Sequence, residues 1–284
     1  MKIARLDGHG SNPHFAVEGG GGGWVALESL GIEAHTTAAV IAAQSQIERE
    51  LSAFSGDVIE APEFRRPILA PSKMLAIGLN YVDHIRETNQ KQPERPILFG
   101  KFPSSLNDPY GKIVIDEELT ERGDYEVELA AVIGKRTRHV SEQEALDSVF
   151  GYTVANDVSA RDWQTADVQF DRSKSFDTFC PIGPWITTAD EVPDPQGLAM
   201  KSWVNGELRQ DSSTKEMLFG IAYLIHYLSR GMTLEVGDVL LSGTPSGVGS
   251  AMDPPRFLSP GDVVECEVEG LGRLRNPVVG PQDA

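Results

Sequence analysis

The chain has 284 residues, a formal net charge of −17 at pH 7, 40% hydrophobic residues and 24% charged residues. These are the proportions of an ordinary globular protein, and a chain of this length can bury about three quarters of its unfolded surface. The acidic balance argues against nucleic acid or an anionic membrane as a partner, because both are bound through lysine and arginine. Two cysteines provide no disulfide framework. Without a signal segment or a transmembrane-length apolar run, the sequence predicts a cytoplasmic protein.

Residues 1–70 form the first predicted unit, a small N-terminal domain. It contains a five-glycine turn at Gly19–Gly23 and an Ala-rich stretch from Thr36 to Leu51, which is predicted to be a helix. Three histidines of this part are interpreted as scattered surface residues, namely His9, His14 and His35. The unit ends in a linker that is marked by Pro62, Pro67 and Pro71.

Strand-like runs dominate residues 71–284, which form the second predicted domain. Only two helices are predicted there. One begins at the capping box Ser141-Glu-Gln-Glu144 and runs to about Val149. The other follows Ser213-Thr-Lys-Glu216, carries its apolar residues on one face and stops at Gly231. Because strands outnumber helices and do not alternate with them, the sequence predicts an α+β fold rather than a doubly wound sheet.

Two glutamates, Glu126 and Glu128, lie one residue apart in a segment whose apolar residues alternate with the other positions. This is the period of a strand, so both carboxylates project from one face with Cα atoms about 6.6 Å apart. Carboxylates this close repel each other unless one is protonated or a cation lies between them. With Asp157 at the end of the next strand, three oxygen ligands suit Mg²⁺, Mn²⁺ or Ca²⁺ rather than zinc. An exposed strand face explains the glutamate pair equally well.

His84 and Glu87 lie three residues apart in a short polar stretch. If the stretch turns helically, the two side chains share a face and can form a hydrogen bond. A paired carboxylate increases the basicity of an imidazole, as a water-activating general base requires. Taken alone, the stretch is better explained as a solvated surface helix with an incidental histidine.

A glycine-rich loop, Gly243-Thr-Pro-Ser-Gly-Val-Gly249, follows a predicted strand. It lacks the Gly-Lys-Ser/Thr ending of a phosphate-binding loop, and no helical pattern follows it. Its direct interpretation is a tight turn in which glycines supply positive φ.

Six motifs occur in order along residues 71–280. They are Ile77-Gly-Leu-Asn-Tyr81 with Asp83, His84 and Glu87; Lys101-Phe-Pro-Ser-Ser105; Asp124-Tyr-Glu-Val-Glu128; Asn156-Asp-Val-Ser-Ala-Arg-Asp-Trp-Gln164; Lys174-Ser-Phe-Asp177; and Gly243–Gly249. In this order they resemble the fumarylacetoacetate hydrolase family. The resemblance implies a mixed β-roll domain at residues 71–284, behind the small N-terminal domain, and a homodimer.

The resemblance also implies a ligand set and a catalytic group. Glu126, Glu128 and Asp157 would hold one Mg²⁺ or Mn²⁺, with Ca²⁺ as an alternative. The catalytic side chains would be His84, Glu87 and Lys174. The first two would be delivered by a mobile lid over residues 80–95, and Lys174 would stabilise negative charge on the substrate or bind its carboxylate. The substrate-binding side chains would be Arg161, Gln164 and Thr244. Arg161 is alternatively a structural partner of Asp157 or Asp162.

The leading function implied by the resemblance is metal-dependent hydrolysis of a C–C bond in a β-diketo acid, such as an acylpyruvate or a 2,4-diketo sugar acid. Water activated by His84 and Glu87 would attack the remote carbonyl, and the other end would leave as a metal-bound enolate. Decarboxylation of oxaloacetate-like acids and keto–enol or double-bond isomerisation of muconate-type diacids would use the same site. A non-enzymatic scaffold with structural Ca²⁺ is a further alternative, but it would not need His84, Glu87 or Lys174.

Overall fold

Three sheets form the framework of the computed structural model, which describes residues 1–8 and 11–284. His9 lies outside the described residues, whereas His35 is exposed as expected. The strands are β1 (Lys2–Gly8), β2 (Ser11–Glu18), β3 (Trp24–Ala26), β4 (Phe64–Arg65), β5 (Met74–Gly78), β6 (Ile97–Lys101), β7 (Leu106–Asn107), β8 (Ile113–Val114), β9 (Gly123–Asp124), β10 (Val127–Ile133), β11 (Val149–Asn156), β12 (Ser159–Ala160), β13 (Cys180–Thr188), β14 (Ala199–Val204), β15 (Glu207–Ser213), β16 (Val239–Leu241), β17 (Val263–Val268) and β18 (Gly272–Val279). The α-helices are α1 (Thr37–Ala42), α2 (Gln44–Ala53), α3 (Val82–Glu87), α4 (Arg161–Asp167) and α5 (Ile221–Ser229).

The largest sheet has 11 strands, with the order β3-β2-β1-β13-β11-β10-β16-β5-β6 and with β4 and β7 paired to β1 and β13. Its central strand β10 is buried along its whole length. Val127 and Leu129 pack in a cluster with residues of α5, β14 and β17, whereas Ala130 and Val132 pack in a second cluster with residues of α1 and α2. The sheet is therefore covered on both faces, which explains the nearly continuous apolar run of β10.

A five-stranded sheet, with the order β15-β14-β17-β18-β8, covers one face of the large sheet together with α5. Its strands β14 and β17 alternate between buried and half-buried positions, as expected when one face packs inward. None of the described helices is long and apolar enough to cross a membrane. Mixed sheets with few helices confirm the predicted α+β class.

The N-terminal strands continue the large sheet. Strand β1 pairs antiparallel with β13, and Ile3 lies opposite Ile186. The domain boundary at residue 70 stays a prediction, because this pairing joins the two predicted units within one sheet. The glycine turn is present, and Gly21 and Gly22 both have positive φ. The single helix expected over residues 36–51 is divided at Ala43 into α1 and α2.

The helix predicted from Ser141 to Val149 is wrong. Ser141 Oγ does donate to Glu144 Oε2 at 2.6 Å, but only a 3₁₀ turn, Ala145–Ser148, follows. Pairing with β10 competes with the helix, because the Ser148 carbonyl accepts from Gly134 N at 2.7 Å and β11 begins at Val149. Tertiary hydrogen bonds therefore override the local helix signal.

The helix predicted after Glu216 begins later than expected. A short 3₁₀ turn, Thr214–Glu216, comes first, and α5 starts only at Ile221. Between them, Leu218 N donates to Asn80 O at 2.7 Å, and Phe219 N donates to Asn80 Oδ1 at 3.0 Å. These bonds use the amides that a helix would need, and they fix the segment that leads into α3.

Candidate active site

The three predicted carboxylates come together at the ends of β10 and β11. Glu126 precedes β10, Glu128 lies within it, and Asp157 follows β11 directly. The antiparallel register places Val127 opposite Asn156, and Asp157 N donates to Glu126 O at 2.9 Å. One oxygen of each carboxylate lies within 4.8 Å of the others, and all three residues are buried. The exposed strand face that explained the glutamate pair equally well is therefore wrong.

Two lysines pair with these carboxylates. Lys174 Nζ lies 2.8 Å from Glu126 Oε2 and 2.7 Å from Asp157 Oδ2. Lys101 Nζ lies 2.6 Å from Asp157 Oδ1 and also donates to the carbonyl oxygens of Lys174 and Phe179. Lys174 was predicted at the site, whereas Lys101 stood in a recognised motif without a role.

Arg161 is anchored by a different acid from those expected. Its Nε donates to Asp124 Oδ2 at 2.8 Å, and its Nη2 forms an ion pair with Glu126 Oε1 at 2.7 Å. The structural partners Asp157 and Asp162, considered from the sequence, are therefore wrong. Asp124 in turn accepts from the amides of three further residues, Tyr125, Gly249 and Ser250. This buried carboxylate joins the motif around Glu126 to the glycine-rich loop.

The charges of the cluster follow from burial and from these partners. Burial raises the pKa of Glu126, but Lys174 and Arg161 outweigh it and lower the pKa to about 2. Burial, followed by the negative charges of Asp157 and Glu126, raises the pKa of Glu128 well above its usual range. Burial lowers the pKa of Lys174, yet Asp157 and Glu126 raise it to a net value above its ordinary one. Lys174 lies between Glu126 and Asp157 and relieves the repulsion between these two carboxylates. The raised pKa of Glu128 favours a proton on the third carboxylate, which relieves the rest.

His84 and Glu87 both lie on α3 and form the expected pair. His84 Nδ1 lies 2.7 Å from Glu87 Oε1, while Glu87 Oε2 accepts from Gly247 N at 2.9 Å. The neighbouring Asp83 accepts from two hydroxyls, those of Ser212 and Ser246, at 2.6 and 3.1 Å. Helix α3 is thus bound to the core of the site, and the interpretation as a solvated surface helix is wrong. The predicted mobility of residues 80–95 stays a prediction.

The glycine-rich loop supports the cluster through its backbone. Gly243 has φ of 96° and donates its N–H to Glu128 Oε2 at 2.8 Å. A Cβ at this position would lie 2.9 Å from Asn80 Cβ, so both the conformation and the space require glycine. Thr244 Oγ1 donates to Val127 O at 2.9 Å and accepts from Gln210 Nε2 at 2.8 Å. The hydroxyl proton of Thr244 is therefore already committed to the backbone.

A cavity of about 550 Å³ opens above the cluster. It is lined by six of the predicted site residues, His84, Glu126, Arg161, Gln164, Lys174 and Thr244. Glu128 and Asp157 do not line it but lie beside Glu126 in the cluster, and aromatic walls are provided by Phe99, Phe170 and Phe257. The side-chain oxygen Oε1 of Gln164 accepts from Arg161 Nη1 at 3.1 Å, so the side-chain nitrogen of Gln164 can donate to a ligand. The structure thus unites the predicted residues around one polar floor with apolar walls.

Sequence reasoning missed two buried ionic residues of the site, Lys101 and Asp124. Each is the first residue of one of the six motifs, so its place in that motif was the signal that could have assigned it to the site. A lone lysine is usually exposed, and nothing local in the sequence reveals that Lys101 is buried against Asp157.

The chain is similar to several known proteins. Residues 73–279 match the family model described as fumarylacetoacetate (FAA) hydrolase C-terminal. The chain is 43% identical, over 281 residues, to a mitochondrial oxaloacetate tautomerase of Bos taurus, covering 95% of this chain and 89% of that protein. It is also similar to the fumarylacetoacetate hydrolase of the psychrophile Exiguobacterium antarcticum, with 38% identity, a TM-score of 0.85 and 99% of both chains covered.

A third similar protein carries a metal ion. It is the maleylpyruvate hydrolase of Sphingobium sp. SYK-6 in complex with manganese(II) and pyruvate, with 30% identity, a TM-score of 0.81 and 99% of both chains covered. Together with the family model, which spans more than half of the chain, these similarities complete the identification. The chain belongs to the fumarylacetoacetate hydrolase family.

Proposed function

We propose that this protein catalyses the keto–enol tautomerisation of an oxaloacetate-type 2-oxo acid with a divalent metal ion. The observation that carries the proposal is that His84, which is paired with Glu87, lines the same cavity as Glu126 of the carboxylate cluster. A proton-transfer group above a cation site is what an enolisation requires. The similarity to an oxaloacetate tautomerase along 95% of this chain supports this reaction over the hydrolysis that led the sequence interpretation.

The cluster fits a hard divalent cation. Its donor set consists of carboxylate oxygens alone, they are buried, and they lie within 4.8 Å of one another. Oxygen ligands in this arrangement suit Mg²⁺ or Mn²⁺, the expected ions, with Ca²⁺ as an alternative. Glu126, Glu128 and Asp157 would hold the ion, which supplies polarisation of the substrate carbonyl and compensation of negative charge on its oxygen.

His84 is the proton-transfer residue in this proposal. It removes a proton from C3 of the keto acid, and a proton is added to the C2 oxygen, so that the enol has the same composition as the keto form. Glu87 holds the imidazole and stabilises its positive charge, and its own position is fixed by the Gly247 amide. Lys174 lies at the cavity floor, where its ammonium group stabilises an enolate oxygen.

Hydrolysis of a β-diketo acid is the second candidate. A cavity of about 550 Å³ is of the size that holds drug-sized ligands, so it has room for a substrate larger than oxaloacetate and for an attacking water. The same His84–Glu87 pair can activate that water. A similar solved structure, named as a maleylpyruvate hydrolase, also supports this candidate.

Decarboxylation remains a third use of the same residues. A small oxo-acid as the ligand, a homodimer and a cytoplasmic location stay predictions. The similar tautomerase of Bos taurus is named as mitochondrial, and a mitochondrial location is therefore the alternative to be tested by localising the tagged protein.

The test compares the three reactions on one preparation loaded with Mg²⁺ or Mn²⁺. Enol consumption is followed by ultraviolet absorbance, pyruvate release from oxaloacetate reports decarboxylation, and loss of acylpyruvate absorbance reports hydrolysis. We expect the largest kcat/KM for tautomerisation and its loss in His84→Ala. Faster hydrolysis or decarboxylation than tautomerisation would reject the leading assignment in favour of the other reaction.

A further inference from the structure

Arg122 is distinct among the basic residues that line the cavity. Of the four such residues in the described part of the chain, Arg161 and Lys174 are paired with carboxylates of the floor, and His84 is paired with Glu87. The Arg122 side chain has neither an ion pair nor a hydrogen bond within the described residues. It therefore offers the cavity a positive charge that no protein group neutralises.

The backbone of Arg122 is nevertheless held in place. Its carbonyl oxygen accepts from Arg161 N at 3.0 Å, and its N–H donates to Thr120 Oγ1 at 3.2 Å. Thr120 Oγ1 in turn donates to Asp162 Oδ1 at 2.7 Å, on the first turn of α4. The next residue, Gly123, pairs with Ala160 in the short β9–β12 ladder. The backbone thus anchors the side chain at the cavity, and the unpaired guanidinium is available to an anionic ligand.

The depth of Arg122 separates it from the floor of the site. The Arg161 side chain is 13% exposed and contacts Glu126, whereas Arg122 is exposed and lies toward the mouth of the cavity. Asp162 forms no ion pair with Arg122 within the described residues, and its carboxylate instead accepts from Thr120 Oγ1 and from the amides of Glu121 and Trp163. The cavity therefore has two arginines: Arg161 is paired with Glu126, whereas Arg122, nearer the solvent, has no ion pair within the described residues.

We propose that Arg122 binds the carboxylate at the end of the substrate remote from C1, and that it thereby selects dicarboxylic over monocarboxylic 2-oxo acids. This assignment rests on the proposed function, which places the C1–C2 end of the substrate at the carboxylate cluster. A planar guanidinium matches a carboxylate through two parallel hydrogen bonds. The chain has a net charge of −17, so a doubly charged acid needs such a local cation to overcome repulsion.

Binding of inert acids tests the assignment without relying on turnover. The probes are two matched pairs, 2-oxoglutarate with 2-oxopentanoate and 2-oxoadipate with 2-oxohexanoate, titrated calorimetrically into protein loaded with Mg²⁺ or Mn²⁺. The variants are Arg122→Gln, Arg122→Lys and the control Arg138→Gln, which removes the same charge from an exposed residue outside the cavity. Equal thermal unfolding midpoints verify that all variants fold.

We expect the wild type to bind a diacid of at least one pair roughly 10- to 100-fold more tightly than its monoacid, the worth of a charge-assisted hydrogen bond. Arg122→Gln should lose this preference, Arg122→Lys should keep part of it, and Arg138→Gln should keep all of it. An unchanged preference in Arg122→Gln, or no preference or no measurable binding in the wild type, would overturn the assignment. If Arg122→Gln loses the preference for diacids but the wild type has no tautomerase activity, the role of Arg122 in binding stands and only the proposed function is rejected.

Discussion

Lys101 and Asp157 form an ion pair at 2.6 Å in which both side chains are 0% exposed. The second oxygen of Asp157 faces Lys174 at 2.7 Å, so this carboxylate is bracketed by two buried ammonium groups. Because Lys101 also donates to the carbonyls of Lys174 and Phe179, all three of its donors are used within the protein. Asp157 is thereby fixed with one oxygen, Oδ2, directed at the cluster.

We expect Lys101→Met to destabilise the protein strongly. It leaves Asp157 Oδ1 and two buried carbonyls without their donor, and removal of one partner from a buried pair costs about 3–5 kcal/mol. The free energy of unfolding in urea measures the loss. Lys91→Met, at a side chain that is 90% exposed, is the control and should change it by less than about 0.5 kcal/mol. Equal effects of the two substitutions would show that the Lys101 pair does not stabilise the fold.

Glu128→Gln should stabilise the metal-free protein at neutral and alkaline pH. The pKa of Glu128 is raised well above its usual range by burial and by Asp157 and Glu126. The folded state therefore keeps a proton that the unfolded state loses, and wild-type stability falls as the pH rises above the ordinary glutamate range. The advantage of Glu128→Gln should therefore grow as the pH rises above about 5, where the glutamate of the unfolded state has lost its proton.

Thermal unfolding in the presence of a chelator measures this dependence. A wild-type midpoint that rises with pH relative to Glu128→Gln would have the opposite sign, and it would contradict a protonated Glu128 in the metal-free cluster. Glu144→Gln, at an exposed glutamate, controls for the loss of a carboxylate elsewhere.

Metal ions should stabilise the wild type but not Glu126→Gln. An ion that binds only the folded state adds about 2.7 kcal/mol at 100 times its dissociation constant. Glu126→Gln removes one of the three proposed ligands, whereas the exposed Glu118→Gln leaves all of them. Thermal unfolding with increasing Mn²⁺ distinguishes the variants. A stabilisation by Mn²⁺ that survives in Glu126→Gln would place the ion elsewhere.

Glu87→Gln should lower kcat for tautomerisation and hydrolysis by roughly 10²–10⁴-fold, the usual worth of a general base. The metal content should be unchanged, because Glu87 contacts His84 and Gly247 rather than the cluster. Decarboxylation should depend on it less, since carbon dioxide leaves without removal of a C3 proton and without an attacking water. The control is Glu142→Gln, at an exposed glutamate outside the cavity. Wild-type rates in Glu87→Gln would remove the pair from the mechanism.

Two parts of the site are consistent with local spacing, whereas the catalytic roles and the other site residues were implied by the family resemblance. The alternation around Glu126 and Glu128 predicted one face of a strand, and the structure brings Asp157 to the same face. The spacing of His84 and Glu87 likewise predicted their hydrogen bond. These relationships need only the period of a strand or of a helix.

Relationships between distant segments could not be predicted in the same way. Lys101, which pairs with Asp157, lies in a strand 56 residues earlier in the chain. Arg161 pairs with Asp124 rather than with Asp162, its neighbour in the sequence. The helix predicted from Ser141 is absent for a similar reason, because the Ser148 carbonyl accepts a hydrogen bond from Gly134, just after β10. Such contacts depend on the register of strands that are remote in sequence.

The central claim is that a divalent ion and the His84–Glu87 pair together catalyse keto–enol exchange of an oxaloacetate-type acid. The most direct measurement is the rate at which the enol form of oxaloacetate is consumed, with pyruvate release recorded simultaneously. We expect consumption well above the buffer rate without equivalent pyruvate, its loss after chelation, its recovery with Mg²⁺ or Mn²⁺, and its absence in His84→Ala. Enol consumption at the buffer rate in metal-loaded wild type, or consumption that is unaffected by chelation and by His84→Ala, would contradict the account.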